Sequence, residues 1–383
     1  AHGSGRILAP LIKVIKMKTF KYSLIISSLL VACSVQAESA VTIYGRIDTG
    51  IAYDNYGGDT HKDNTITMQS GLNTASRIGI KGIEEITDDL SVGFRLENRF
   101  ASDSGALKGG LKGNKIFEGC SYLTVSSKKF GEVSAGRISG ISSGSGAYDL
   151  QFFMDSFGGG TYGIGLAPVK SSRIDNMITY RTPMLAGFQG TLQYSMKTEE
   201  SEEGDENTSD VDKFYAGGLR YKNGNLNLVA AYEETTWGKK VPAAAKGTTS
   251  KKIATIGGSY RFKPVTVYLQ GQYFDGVNKL DGFSSAKNIK GFGTYAGTQF
   301  WFGLSSWQSM IYYRDYKVNT INNIEDHKAH MLGIATKYLY RPSKSIDIYI
   351  GGGFSTWDGQ NAKTKKFTKD HAFNIITGIT KYF

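Results

Sequence analysis

Polar and apolar residues alternate along most of this chain, and arginines recur on the polar side of the alternation. In the first such segment, Ile43 and Ile47 fall on one side, whereas Tyr44, Arg46 and Asp48 fall on the other. A period of two is typical of β-strands, whose successive side chains point to opposite faces of the sheet. The pattern fits a water-soluble sheet over an apolar core, and it also fits a sheet with lipid outside and water inside.

The basic residues on the polar faces distinguish these two possibilities. Burying an unpaired charge costs several kcal/mol, so the arginines must border water and the apolar face must meet protein or lipid. No apolar run reaches the length of about 18 residues that a membrane-spanning helix needs. The strands of a membrane barrel contain no such run, because their polar and apolar residues alternate. An even strand number, an alternation of short and long turns, strand ends rich in Tyr and Phe and an export signal together favour lipid, and hence a closed barrel. Its inward-facing candidates are Arg46, Arg77, Arg95, Arg99, Arg173, Arg181 and Arg220.

The spacing of the alternating segments predicts about sixteen strands, joined by connections that alternate between short and long. That count merges an irregular segment at 65–71 with the segment at 76–81. Removing residues 1–37 from the 383 leaves 346, or about 22 for each strand with its connection, which suits tilted strands of about 10 residues. The predicted fold class is all-β, a 16-stranded antiparallel transmembrane β-barrel.

The stretch 138–173 interrupts this rhythm, because it is long and rich in both glycine and aromatic residues. Connections beyond about 12–15 residues are usually functional or disordered, and a disordered one would be poor in aromatics. We expect it to pack against the rest of the chain and to present Asp149 and Asp155 to a confined space. An exposed loop with two solvated carboxylates is the alternative. Arg137 breaks the alternation of the preceding strand, so it lies at a β-bulge or already belongs to the loop.

Residues 1–37 have the features of an upstream segment followed by a cleaved signal peptide. Two lysines precede an apolar run, and small residues lead to a predicted cleavage site after Ala37. Residues ahead of Met17 are read as upstream sequence. The barrel is then predicted over residues 38–383. A lipoprotein signal acylated at Cys33 is the alternative.

The charge of the mature chain is modest. Residues 1–37 hold five of the 45 Lys/Arg and no Asp/Glu, so cleavage leaves 40 against 34, a formal charge of +6 in place of +11. No polybasic run with interleaved aromatics suggests a nucleic-acid partner. If Cys33 is removed, Cys120 is the only cysteine left and no internal disulfide is possible.

Several segments, in their order and spacing, resemble the general trimeric porins of Gram-negative bacteria, of the betaproteobacterial type. The residues that carry the resemblance are 41–48, 76–82, 130–133 with Gly136 and Arg137, 173–176 with Tyr180, and the terminal Phe383. The resemblance implies a 16-stranded barrel, a homotrimer, and a third external loop, at about 138–173, folded into the lumen as a constriction. The last residues resemble an outer-membrane assembly signal, although Lys381 stands where an aromatic residue or histidine is more usual.

On this resemblance the loop carries acidic residues that face a basic ladder on the wall. The predicted pore constriction comprises Arg46, Arg77, Arg95, Arg99, Arg137, Asp149, Asp155 and Arg173. The alternative is that individual arginines merely pair with Glu97, Asp48 and Asp175. No cofactor and no metal site is predicted.

The predicted function is a water-filled channel in the outer membrane of a Gram-negative bacterium, for passive diffusion of small hydrophilic solutes and ions. The expected partners are outer-membrane lipid, lipopolysaccharide and two further copies of the chain. Opposed charges across a narrow lumen would orient dipolar solutes. The surplus of arginines predicts a weak preference for anions, which the acidic loop at 198–212 would oppose at the mouth.

Three other functions compete with a general diffusion channel. A solute-specific channel would share the architecture, since its specificity lies in pocket shape. An outer-membrane adhesin would use the long loops. A barrel enzyme is disfavoured because His61, His327, His330 and His371 have no Ser or Asp spacing typical of a triad.

Overall fold

The computed structural model describes residues 40–58, 64–107, 115–151, 169–198, 203–241, 249–278, 287–319, 327–360 and 367–383. The predicted export signal lies outside these residues. Within them, no helix is long and apolar enough to cross a membrane.

The described residues form seventeen β-segments in one closed sheet. In chain order they are β1 (Ala40–Gly58), β2 (Asn64–Ser70), β3 (Arg77–Glu85), β4 (Leu90–Arg99), β5 (Cys120–Ser127), β6 (Gly131–Ser139), β7 (Arg173–Arg181), β8 (Phe188–Ser195), β9 (Lys213–Asn223), β10 (Leu226–Thr236), β11 (Lys251–Arg261), β12 (Val265–Val277), β13 (Lys287–Phe302), β14 (Ser305–Asn319), β15 (His327–Ser343), β16 (Ile346–Gln360) and β17 (Phe367–Tyr382).

The sheet closes because β1 pairs antiparallel with β17 along one edge and with both β2 and β3 along the other. Residues 49–55 of β1 face β2 and residues 40–46 face β3, so β2 and β3 are two halves of one interrupted strand. Every other pairing joins sequence neighbours. The prediction of a 16-stranded antiparallel barrel, with this merged pair counted once, is confirmed.

The outer face of the barrel is apolar. Ile43 and Ile51 of β1 are 64% and 49% exposed, while Asp48 and Asp54 on the opposite face of the same strand are buried. In water this arrangement would be costly, because burying apolar surface stabilises by about 25 cal/mol per Å². The alternation therefore has its apolar side toward lipid or another protein, as barrels in membranes do.

Short and long connections segregate to opposite ends of the barrel. Residues 128–130 join β5 to β6 and residues 224–225 join β9 to β10, whereas 140–172 join β6 to β7. Ala40 begins β1 at the short-turn end. Phe383 lies there too, since its carbonyl accepts the Gly45 N–H at 2.9 Å. Outer-membrane barrels have their short turns in the periplasm and their long loops outside.

Candidate functional site

Three arginines lie side by side on the lumenal face of neighbouring strands. Arg46 of β1 is in register with Arg77 of β3, and Arg77 is in register with Arg99 of β4. Like charges directly opposite each other on one face of a sheet are destabilising. We call Arg46, Arg77 and Arg99 the arginine row. Nearby hydrogen-bond acceptors must compensate for the repulsion between their positive charges.

Glu97 of β4 is the first of these acceptors. Its Oε1 lies 3.0 Å from Nη1 of Arg77, and its Oε2 lies 3.1 Å from Nη2 of Arg95. The Tyr44 hydroxyl donates to Oε2 at 3.1 Å and accepts from Nε of Arg95 at 2.7 Å. The Glu97 side chain is 2% exposed, so these donors, rather than water, stabilise its charge.

Glu118 is the second acceptor and lies in the connection between β4 and β5. It forms a two-point ion pair with Arg99, with Nε–Oε1 at 2.7 Å and Nη2–Oε2 at 2.5 Å. The planar guanidinium matches a carboxylate in this geometry. Nε of Arg46 and Nε of Arg77 share a different acceptor, the Ala75 carbonyl, each at 3.2 Å.

Arg137 lies at a β-bulge within β6 and does not belong to the long loop, the two positions that the sequence left open. The register of β6 against β7 shifts immediately after Gly136, whose φ is 139°. A Cβ on Gly136 would lie 2.2 Å from the Ser121 carbonyl oxygen, so the bulge requires glycine. It aims Arg137 at Asp175, whose Oδ1 is 2.5 Å from Nη1, while Lys115 approaches Oδ2 at 2.6 Å.

Arg173 begins β7 and is 7% exposed. Its Nε donates to the Gly119 carbonyl at 3.1 Å, and its Nη2 donates to the Ser145 hydroxyl at 3.1 Å. It is close enough to Arg99 and Arg77 for their charges to interact. Because Ser145 belongs to the long β6–β7 connection, Arg173 joins the arginine row to that loop.

The structure thus groups six of the predicted wall arginines on neighbouring strands of the lumenal wall, whereas the other two, Arg181 and Arg220, lie against the β6–β7 connection and donate to its carbonyls. Two of the three carboxylates proposed as alternative partners, Glu97 and Asp175, do pair with them. Asp48 instead accepts hydrogen bonds from the hydroxyls of Tyr349, at 3.0 Å, and Thr380, at 2.5 Å. We use "arginine cluster" for Arg46, Arg77, Arg95, Arg99, Arg137 and Arg173, with Lys115, Glu97, Glu118 and Asp175.

The first part of the β6–β7 connection folds into the barrel, as predicted. Ile141, Tyr148 and Leu150 are buried against the inward side chains of β9 and β10, among them Phe214 and Val229. The Tyr148 hydroxyl lies 2.5 Å from the Ser134 hydroxyl on the wall. We call residues 140–151 the outgoing limb and residues 169–172 the returning limb.

Glu233 of β10 holds both limbs with one oxygen. Its Oε1 accepts the Ser142 N–H of the outgoing limb at 2.9 Å and the Ser171 hydroxyl of the returning limb at 2.8 Å. Gln272 of β12 also donates to the Val169 carbonyl at 2.8 Å. A buried donor left unsatisfied costs about 1–3 kcal/mol, so these bonds fix the base of the loop against the wall.

Asp149 lies on the outgoing limb, beside Arg220 of β9. Its Oδ1 accepts the Gly144 N–H at 2.9 Å within the limb, and its carbonyl accepts from Nη2 of Arg220 on β9 at 3.0 Å. Asp155 lies outside the described residues. The charge opposition predicted between these two carboxylates and the ladder therefore stays a prediction.

Gly218 of β9 offers a direct test of the loop's position. A Cβ there would lie 2.3 Å from Cδ1 of Leu150 and 3.2 Å from Cδ1 of Ile141. We expect Gly218→Val to displace the outgoing limb, to lower the free energy of unfolding by about 2 kcal/mol, and to change single-channel conductance. Thermal unfolding in detergent and single-channel recording measure the two effects.

Gly190→Val on the adjacent strand is the matched control. A Cβ at Gly190 has Cγ2 of Thr182 as its nearest neighbour, at 3.6 Å, which is ordinary contact. An unchanged conductance in the Gly218 variant would mean that Leu150 does not hold the loop in its working position.

Several contributing residues escaped the sequence analysis. Glu118 and Lys115 lie in a connection, where no periodicity marks them. Glu233 shares the inward face of β10 with Val229 and Ala231. A carboxylate among apolar side chains on one face of a strand is the sequence feature that could have identified it. Among the described residues, no group of three or more His, Cys, Asp or Glu is arranged to hold a metal ion.

The sequence matches the Gram-negative porin family over residues 24–360. An outer membrane porin protein of Bordetella pertussis is 30% identical over 268 residues, which are 65% of this chain and 68% of that protein. Outer membrane porin protein 32 of Delftia acidovorans is 31% identical over 286 residues, 70% of each chain.

The fold has counterparts among solved structures. The anion-selective porin from Comamonas acidovorans superposes with a TM-score of 0.65 at 22% identity, covering 90% of this chain and 100% of that one. At this identity the similarity establishes the barrel fold alone.

Proposed function

The chain belongs to the Gram-negative porin family, and from that premise we propose that its lumen passes small anions more readily than cations. As a porin it forms a water-filled channel for passive diffusion of small hydrophilic solutes across the outer membrane, and its apolar exterior contacts membrane lipid. Family membership supports a channel rather than an enzyme.

The observation that carries the proposal is the charge of the arginine cluster. The cluster holds seven cationic side chains and three carboxylates, so a net positive charge borders the lumen. A ring of basic side chains lowers the energy of an anion and raises that of a cation in a pore. The structural neighbour from Comamonas acidovorans, named anion-selective, supports the same sign.

Reversal-potential measurements test the proposed selectivity. The purified protein is reconstituted in planar bilayers under a tenfold gradient of potassium chloride. We expect the sign of the reversal potential to favour chloride. A potential that favours potassium would reject the proposal. It would indicate that the acidic residues of the loop at 198–212, and not the arginine cluster, determine the ion preference.

We further propose that the inward loop narrows the lumen opposite the arginine cluster, with Asp149 and Asp155 as its acidic side chains. The support is the attachment of both limbs to the wall through Glu233. Opposed charges across a narrow passage would create a transverse field that favours dipolar solutes. Blocking by Cd²⁺ of a cysteine introduced at Asp155 would test whether that position lines the passage.

We also propose a homotrimer that associates through the outer face of β1–β6. The large exposed apolar residues there are aliphatic apart from Phe130 in a turn, whereas the outer face from β7 onward carries Tyr, Phe and Trp. Aromatic side chains collect where a barrel meets the lipid–water interface. Their scarcity on β1–β6 supports contact with protein there, at Val41, Ile43, Ile47, Ile51, Ile66, Met68, Ile78, Leu123 and Val125.

Substituting a large ring on each face separates protein contact from lipid contact. Ile43 and Ile256, on β1 and β11, are 64% and 69% exposed. We expect Ile43→Trp to abolish the trimer band on unheated gels, because overpacking an interface costs about 1–3 kcal/mol per site. Ile256→Trp should leave the trimer intact, since lipid accommodates the ring. Equal behaviour of the two variants would contradict the assigned interface.

Signal-peptide cleavage after Ala37 remains part of the proposal. It accounts for the apolar segment ahead of β1 in a protein that must be exported. Intact-mass spectrometry of protein extracted from outer membranes tests it, with a mature chain beginning at Glu38 as the expected result.

A further inference from the structure

A concave site lies in the lumenal wall between β1 and β5. It encloses about 380 Å³ and forms because inward positions around it carry small side chains. Gly93 lies opposite Thr124 in the strand pairing, and Ser91 lies opposite Ser126. Larger side chains, Lys81 and Arg95 with Tyr122, border this hollow.

Two cations flank the hollow. Lys81 and Arg95 are directly opposite each other on β3 and β4, and their charged groups lie 5.5 Å and 5.1 Å from the centre of the Tyr44 ring. Arg95 pairs with Glu97 at 3.1 Å and shares that carboxylate with Arg77. None of the ion pairs formed by the described residues includes Lys81, so Lys81 and Arg95 together keep at least one net positive charge beside the lumen.

Hydroxyl groups are the other polar groups of the lining, which also includes the apolar residues Ala40, Ile83 and Phe94. Thr42, Ser91, Ser126 and the phenol of Tyr122 line the hollow together with Thr124. The Thr124 hydroxyl lies 2.5 Å from that of Ser134, which in turn bonds the hydroxyl of Tyr148. A chain of hydroxyls thus runs from the hollow to the inward loop.

The hollow lies between the arginine row and the short-turn end. In the pairing of β3 with β4, the Arg77–Arg99 pair is followed by Gly79–Glu97 and then by Lys81–Arg95. An anion that has passed the arginine row therefore meets Lys81 next on its way to the periplasmic side.

We propose that this hollow is a binding site for a small hydroxylated anion, such as a sugar phosphate or a sugar acid. Lys81 and Arg95 attract the anionic group by charge-assisted hydrogen bonds. The hydroxyl groups of the hollow exchange hydrogen bonds with the polyol. The inference rests on the proposed function, because the solute must enter through the channel.

Solute-induced interruption of single-channel current tests the site. Glucose 6-phosphate and gluconate are the anionic probes, glucose lacks the charge, and inorganic phosphate lacks the polyol. We expect both anionic sugars to interrupt the current at lower concentrations than either control. We expect Lys81→Gln to raise their half-blocking concentration about fivefold, as loss of one charge-assisted hydrogen bond in contact with water implies.

Lys344→Gln is the matched control. Lys344 lies exposed in the short turn between β15 and β16, outside the hollow, so this variant loses the same charge without touching the site. Block that is unaffected by Lys81→Gln, or equally affected by both variants, would overturn the site. Block by inorganic phosphate as strong as by glucose 6-phosphate would overturn the ligand class.

The two proposals fail in different ways. If the reversal potential favours potassium, the proposed anion preference fails. If the reversal potential favours chloride but no anionic sugar interrupts the current, the anion preference stands and the binding site is rejected.

Discussion

Replacing Arg46 with glutamate is expected to shift the ratio of anion to cation permeability about tenfold toward cations at low salt. The substitution changes the charge beside the lumen by two units. At about 12 Å in water, two units of charge raise the energy of an anion by about 0.7 kcal/mol and lower that of a cation by as much, and the combined difference of about 1.4 kcal/mol corresponds to a factor of ten in the ratio. The new carboxylate would have Arg77 opposite it in the strand pairing, so the barrel should still fold. Reversal potentials in planar bilayers give the ratio.

Two comparisons make that result specific. Lys344→Glu applies the same change in charge at an exposed turn and should leave the ratio nearly unchanged. Raising the salt to about 1 M, where the Debye length falls to about 3 Å, should shrink the effect of Arg46→Glu. A permeability ratio equal to that of the unsubstituted protein would show that Arg46 does not border the ion path.

Replacing Glu97 with glutamine is expected to destabilise the barrel and to strengthen its preference for anions. Arg77 and Arg95 would both lose their carboxylate at about 3 Å. Removing one partner of a buried pair costs about 3–5 kcal/mol. Because the Arg95 side chain is 33% exposed to the lumen, we expect a smaller loss, about 2 kcal/mol. Denaturant unfolding in detergent micelles measures it.

Glu85→Gln provides the isosteric control, since Glu85 is exposed at the end of β3. It should change neither stability nor selectivity. A Glu97→Gln variant that unfolds at the same denaturant concentration as the unsubstituted protein and keeps the same chloride preference would show that Glu97 does not offset the positive charge of the arginine row.

The basic side of the lumen was largely predictable, and the acidic side was not. Arg77 and Arg99 fall on the polar face of short, regular strands, so alternation alone assigned them to the lumen. Arg137 departs from that alternation, and only the bulge after Gly136 determined its direction. For Asp149, inside a long connection, no period relates sequence to direction. The sequence predicted its loop but not its bonds to Gly144 and, through its carbonyl, to Arg220.

By itself the sequence determined the alternating strands, their approximate number and the face that meets water, because the strands follow from a local period of two and the choice of face follows from the cost of burying charge. Only the tertiary structure decided which carboxylate pairs with which arginine and how Glu233 holds the loop. Those contacts join residues far apart in the chain, such as Ser142 and Glu233. Their existence depends on strand register and barrel closure, which a local pattern does not encode.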